Sequence, residues 1–62
     1  MDSNALVSMK DITKMTTLAS PSIYRLIKEN RFPPGKMITA NRRVWRRDEV
    51  EEAIERLLDE AE

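Results

Sequence analysis

Ser20-Pro21-Ser22-Ile23-Tyr24-Arg25-Leu26-Ile27-Lys28-Glu29-Asn30-Arg31-Phe32-Pro33-Pro34-Gly35 is the stretch that decides the fold. Ile23, Leu26 and Ile27 recur at helical spacing and define one apolar stripe. Ser22, Arg25, Lys28 and Glu29 point elsewhere. Ser20 followed by Pro21 reads as an N-cap and a proline at the first helical position, where a missing amide donor costs nothing. The helix is expected to run from about Pro21 to Asn30, since Asn tolerates the left-handed conformation that ends a helix. The prolines then forbid continuation, and Phe32 is expected to drop into the core.

Upstream, Met9, Ile12 and Met15 form a second apolar stripe, predicting a helix over about Met9 to Thr16. Ser8 reads as its N-cap and Asp11 completes a capping box. Lys10 and Lys14 fall on the solvent side. Thr16, Thr17, Leu18 and Ala19 connect the two helices, and Met1 to Leu6 reads as a flexible tail. Two helices joined by about four residues, the second carrying Arg and Lys outward, form the helix-turn-helix pattern. Spacing alone supports it moderately, because unrelated helix pairs share it.

Downstream, Lys36 to Thr39 and Val44 to Arg46 read as two short strands. Ala40-Asn41-Arg42-Arg43 between them reads as a hairpin tip, with Asn41 suited to positive φ. Two arginines at such a tip make a basic wing, placed to reach phosphate or a minor groove. Asp48 is expected to cap a last helix, with Glu51 closing its box. Val50, Ile54 and Leu57, extended by Leu58 and Ala61, form the apolar face of that helix.

Net charge is zero, but its distribution is not even. Between Ser20 and Arg47 stand Arg25, Lys28, Arg31, Lys36, Arg42, Arg43, Arg46 and Arg47 against Glu29 alone, a net of +7. From Asp48 to Glu62 eight acids face only Arg56, a net of −7. The first nineteen residues balance. Such asymmetry points to a nucleic-acid face, and an acidic helix beside it confines the polyanion to one side. Mutual pairing of the two halves is the plainer alternative.

At 62 residues the chain has room for a single domain over residues 1–62. A domain of this size buries only about 60% of its unfolded surface. It has no Cys and no His, which removes disulfides, thiolate metal sites, and the commonest general base. No paired carboxylates or nucleophile–base spacing stands out, so neither an enzyme nor a cofactor or metal is expected. No apolar run approaches the ~20 residues of a membrane span, and residues 1–10 lack the pattern of a signal peptide. A cytoplasmic, nucleoid-associated protein is the expectation.

The run Pro21–Pro33, the basic hairpin, and Trp45-Arg46-Arg47-Asp48-Glu49-Val50 together resemble the AlpA family of prophage regulators. That family belongs with the excisionase-like and MerR-like winged helix-turn-helix domains. The resemblance runs from about Val7 to Leu58. It implies a mainly α fold with a small β-hairpin: a winged helix-turn-helix of three helices and a two-stranded wing. It also implies a duplex-DNA-binding regulator of transcription, an excision directionality factor, or both. The second helix would enter the major groove, with Ser22, Tyr24, Arg25 and Lys28 on or beside the reading surface, and the wing would bring Arg42 and Arg43 to the backbone or minor groove. Three positions depart from the family pattern: Thr17 where Gly is usual in the turn, Ser20-Pro21 where an Arg is usual, and Ala53 where a Trp is frequent.

The candidate DNA-binding residues are therefore Ser20, Ser22, Tyr24, Arg25, Lys28, Lys36, Arg42, Arg43 and Arg46. Each has a structural alternative. Ser20 and Ser22 can serve as capping groups, and Arg25 can pair with Glu29 on a solvated face. Tyr24 can pack its ring against the wing. Arg46 and Arg47 can pair with Glu49 or Glu51, and Lys36 is similarly open. Trp45 reads as a core anchor. Expected partners are duplex DNA, neighbouring copies of the chain along it, and an integrase; no membrane is expected. The rival function is a phage protein-interaction adaptor that docks through the acidic last helix.

Overall fold

A computed structural model describes residues 5–61. Of the stretch read as a tail, Met1–Asn4 lie outside the described residues. The element order is β1 (Leu6–Val7), α1 (Met9–Thr16), α2 (Ser20–Lys28), β2 (Lys36–Thr39), β3 (Arg42–Arg46) and α3 (Arg47–Glu60). The fold is a helix-turn-helix followed by a hairpin and a third helix, compatible with the winged form.

α1 starts as its sequence dictates. The Ser8 hydroxyl accepts from the Asp11 amide at 3.3 Å, and Asp11 Oδ2 accepts from the Ser8 amide at 3.0 Å. The box places Ile12 fully in the core, with Met9 and Met15 packed against it. The helix ends at Thr17, which takes the left-handed conformation at φ 62°.

α2 begins one residue earlier than expected. The Ala19 carbonyl accepts from the Ser22 and Ile23 amides at 3.0 and 3.3 Å, so Ala19 is the N-cap. Ser20 becomes the first helical residue and makes no capping bond. Pro21 moves to the second position, where its missing donor is still costless. The helix ends at Lys28 rather than Asn30. Asn30 has φ 63°, its amide donates to the Ile27 carbonyl at 3.0 Å, and the Arg31 amide donates to the Leu26 carbonyl at 2.8 Å. These two bonds make a Schellman ending with Asn30 as its left-handed residue.

The sheet has the order β1-β3-β2, antiparallel throughout. Leu6, read as tail, pairs with Arg46, and Val7 pairs with Trp45. The Arg47 amide donates to the Ala5 carbonyl at 2.8 Å. A strand of two residues has no periodicity to detect, so the wing acquires a third strand that patterning could not show. The hairpin tip is also tighter than expected. Thr39 pairs with Arg42 across the two-residue turn Ala40-Asn41, so Arg42 and Arg43 belong to β3. Asn41 is not among the residues with positive φ, which are Thr17, Asn30 and Gly35. The register shifts between Met37 and Thr39, leaving Ile38 as the extra residue of a bulge in β2. The bulge adds local twist.

α3 is entered directly from β3. Arg46 is its extended N-cap and no side chain caps it. Asp48 therefore lies inside the first turn, where its carboxylate accepts from the Glu49 amide at 2.8 Å and complements the positive end of the helix. Continuing the strand into the helix leaves no residue for the expected Asp48–Glu51 box. Val50 and Ala53 are buried, Ile54 and Leu57 lie against the core, and Leu58 is 67% exposed. Ala61 is exposed as well.

The core unites Val7, Ile12, Ile23, Phe32, Trp45, Val50 and Ala53. Trp45, only 1% exposed, is its largest member. Gly35, at φ 74°, passes beneath the indole. A Cβ there would stand 2.7 Å from the ring and 2.8 Å from the Val44 carbonyl oxygen. Only glycine fits both the conformation and the space.

Candidate nucleic-acid interface

The outer face of α2 follows from burial of its inner face. With Ile23 buried and Leu26 and Ile27 against the core, helical geometry turns Pro21, Tyr24, Arg25 and Lys28 outward, and all four are exposed. Tyr24 is 51% exposed. Ser20 and Ser22 sit in the first turn, partly buried. Neither serine supplies the cap, so the first turn presents amide donors and hydroxyls with no acidic residue among them. Such a helix start favours an anion.

The hairpin sorts its cations by strand alternation. Val7 and Trp45 face the core, so Leu6, Val44 and Arg46 face out, and Lys36 joins them opposite Val44. Arg42 is exposed next to the turn. Arg43 lies on the Trp45 side and is partly buried; its Nη1 donates to the Pro34 carbonyl at 2.5 Å. Trp45 Nε1 donates to the neighbouring Pro33 carbonyl at 2.7 Å. Two adjacent residues of the α2 exit loop thus accept from two alternate residues of β3. The hairpin is fixed relative to the end of α2, although the two lie far apart in sequence.

Ion pairing divides the basic residues in a way the sequence did not reveal. Arg31 binds Glu60 at 2.8 Å and approaches Glu29 at 3.8 Å. Its guanidinium holds its proton above the ordinary range, chiefly through the hydrogen bond it donates to Glu60. Arg47 pairs with Glu51 at 3.4 Å, as one of the sequence alternatives foresaw. The Arg25–Glu29 pair does not form; Glu29 turns to Arg31 instead. On α2 and the hairpin Arg25, Lys28, Lys36, Arg42 and Arg46 are exposed and have no carboxylate partner among the described residues; Lys10, Lys14 and Arg56 are likewise exposed and unpaired on α1 and α3. Of the eight cations between Ser20 and Arg47, the acids of α3 pair with Arg31 and Arg47, Arg43 is bonded to the Pro34 carbonyl, and the five on α2 and the hairpin are left.

Other chemistries find little here. Among the described residues no three His, Cys, Asp or Glu side chains come together as a metal site. No helix is long and apolar enough to cross a membrane.

The fold is thus a helix-turn-helix with an outward basic helix and a basic hairpin locked to its exit loop. The chain belongs to the AlpA family: the family described as prophage CP4-57 regulatory protein (AlpA) matches residues 5–58. This is a regulatory, DNA-binding family, not one known for enzymes. No curated protein and no solved structure gave a match.

Proposed function

We propose that the chain is a single winged helix-turn-helix module, working in the cytoplasm, that reads duplex DNA with the outward face of α2. The observation that carries this reading is the concentration of exposed cations without carboxylate partners on α2 and the hairpin, five of the eight such residues among those described. Tyr24, Arg25 and Lys28 lie along the groove-facing side of the helix, with Ser20 and Ser22 at its start. Lys36, Arg42 and Arg46 supply phosphate contacts that fix register, and Arg43 supports the wing while its remaining donors meet the backbone. Phosphate contacts position the protein and base contacts from α2 specify the site.

One such module buries only about 600–1,000 Å² on DNA. Tight, specific occupancy therefore calls for several copies on repeated sites. An array near a promoter regulates transcription, and the same array at an attachment site would reshape DNA for an integrase. Of the two roles, regulation of transcription is the one the family description favours.

The test is fluorescence-anisotropy binding to random and then selected duplexes across a salt series, with the Arg25→Ala/Lys28→Ala double variant in parallel. Selected binding with a negative salt slope, together with loss of the preference for selected over random duplexes in the variant, supports the reading. Binding confined to the micromolar non-specific range, with no effect of the variant, would overturn it in favour of a protein-interaction adaptor.

A further inference from the structure

The outer face of the sheet is apolar at its centre and cationic at its flanks. Leu6 on β1, Val44 on β3 and Ile38 on β2 lie on a diagonal across the three strands, one residue from each. Leu6 stands opposite Arg46, and Lys36 stands opposite Val44. Leu6 is 56% exposed and Ile38 57%. The three apolar residues line a single cleft with Pro33, Lys36 and Arg46, and Glu49 is the one acid at its rim. Among the described residues no helix or strand lies over this face, which the exit loop and Glu49 only border; Val7 and Trp45 turn the other side of the sheet to the core.

α3 carries the complementary pattern. Leu58 is the most exposed large apolar residue of the described chain. It lies one helical turn beyond Ile54 and Glu55, on a face shared with Glu51 and Glu55. Glu55 and the adjacent Asp59 are exposed and have no cationic partner among the described residues. An exposed leucine on an acidic helix matches an apolar cleft with a basic rim in both polarity and charge.

We infer that the outer sheet face of one copy docks the Leu58 side of α3 of a second copy, with Leu58 on Leu6, Val44 and Ile38 and with Glu55 and Asp59 against Lys36 and Arg46. The contact joins two different patches. It is heterologous, and it continues as a row unless the rotation between copies closes it. A single apolar anchor with a screened rim gives weak association in dilute solution. Lys36 and Arg46 cannot meet a partner's carboxylates and DNA phosphate at once, so this contact and those two phosphate contacts exclude each other. The association itself does not depend on the DNA-binding reading, and its test contains no DNA.

Amide chemical shifts of the whole chain, recorded from about 20 µM to about 2 mM, read the contact across the weak range where Kd lies between micromolar and millimolar. Concentration-dependent shifts are expected at Leu6, Ile38 and Val44 and at Glu55, Leu58 and Asp59, and they should weaken with added salt. Ile38→Ser and Leu58→Ser, both at exposed positions, each abolish the shifts while leaving the spectrum folded. An equimolar mixture of the two variants restores contact, because one retains an intact α3 and the other an intact sheet face. Concentration-independent shifts in the unmodified chain, or a mixture as silent as its components, would overturn the inference.

Discussion

Trp45 donates its indole N–H to the carbonyl of Pro33 at 2.7 Å from a position only 1% exposed. One side chain thereby closes the core and fixes the hairpin to the loop that leaves the second helix. Arg43 repeats the arrangement two residues earlier, on Pro34. The prolines have no amide to donate, but each contributes a carbonyl at a fixed angle, so the loop is a rigid acceptor for β3.

Trp45→Phe keeps a large ring under the sheet and deletes the donor. The Pro33 carbonyl is left without its partner and some core volume is lost. Chemical denaturation should show a loss of about 2–4 kcal/mol, combining the cost of an orphaned acceptor with that of a smaller ring. A variant as stable as the parent would mean that the indole bond contributes nothing.

The chain turns between α1 and α2 on a β-branched residue at φ 62°. A left-handed conformation costs an L-residue about 1–2 kcal/mol, and a β-branched one is an outlier there. Thr17→Gly removes this cost at some loss of unfolded-state restriction. The variant should melt higher, with a gain of about 0.5–1 kcal/mol; an unchanged or lower midpoint would show that the Thr17 conformation carries no strain.

Asp11 closes the capping box of α1. The Ser8 backbone amide, followed by the Ser8 hydroxyl and then Lys14 and Lys10, holds its carboxyl below the ordinary 3.8. A depressed folded value contributes stability that is present above the unfolded value and lost as pH falls through the folded one. Acidification below about pH 4 should therefore remove the contribution of Asp11 progressively. Asp11→Asn should lower stability at neutral pH and converge with the parent in acid. Parallel curves would dismiss the box as a source of pH dependence.

Arg42 and Arg43 are adjacent yet differently placed, one exposed beside the turn and the other bonded to Pro34. On DNA, Arg42→Ala should flatten the salt slope by about one unit, the signature of a lost phosphate contact. Arg43→Ala should also lower thermal stability without DNA, since it frees the hairpin from the exit loop. Equal effects of both on slope and on stability would erase the distinction.

The helical part of the fold was legible because its stripes are long enough to repeat. Met9, Ile12 and Met15 defined α1 together with its Ser8 cap, and Ile23, Leu26 and Ile27 defined the buried side of α2. The boundaries that slipped did so where backbone groups replaced side chains. Ala19 caps α2 with its carbonyl alone, and Arg46 passes from strand to helix with no residue between. β1 was invisible, since pairing of Leu6 and Val7 with β3 is a tertiary event two residues long. The basic segment was legible as a list of cations but not as a surface. The Arg47–Glu51 pair, local to one helix, was among the readings, but the loss of Arg31 to Glu60 depended on the path of α3. Departure from the family at Ala53 was legible and has a visible result, a small side chain 4% exposed in the core.

The bulge at Ile38 has a consequence for solubility. Among the described residues the sheet has two open edges. One is β1, two residues long; the other is β2, headed by Lys36 and twisted at Ile38. A short edge and a bulged, lysine-bearing edge are poor templates for another strand. Strand-to-strand polymerisation, the ordinary hazard of so small an uncovered sheet, is closed off at both sides, and whatever assembly this chain undergoes must be built from faces that can be released again.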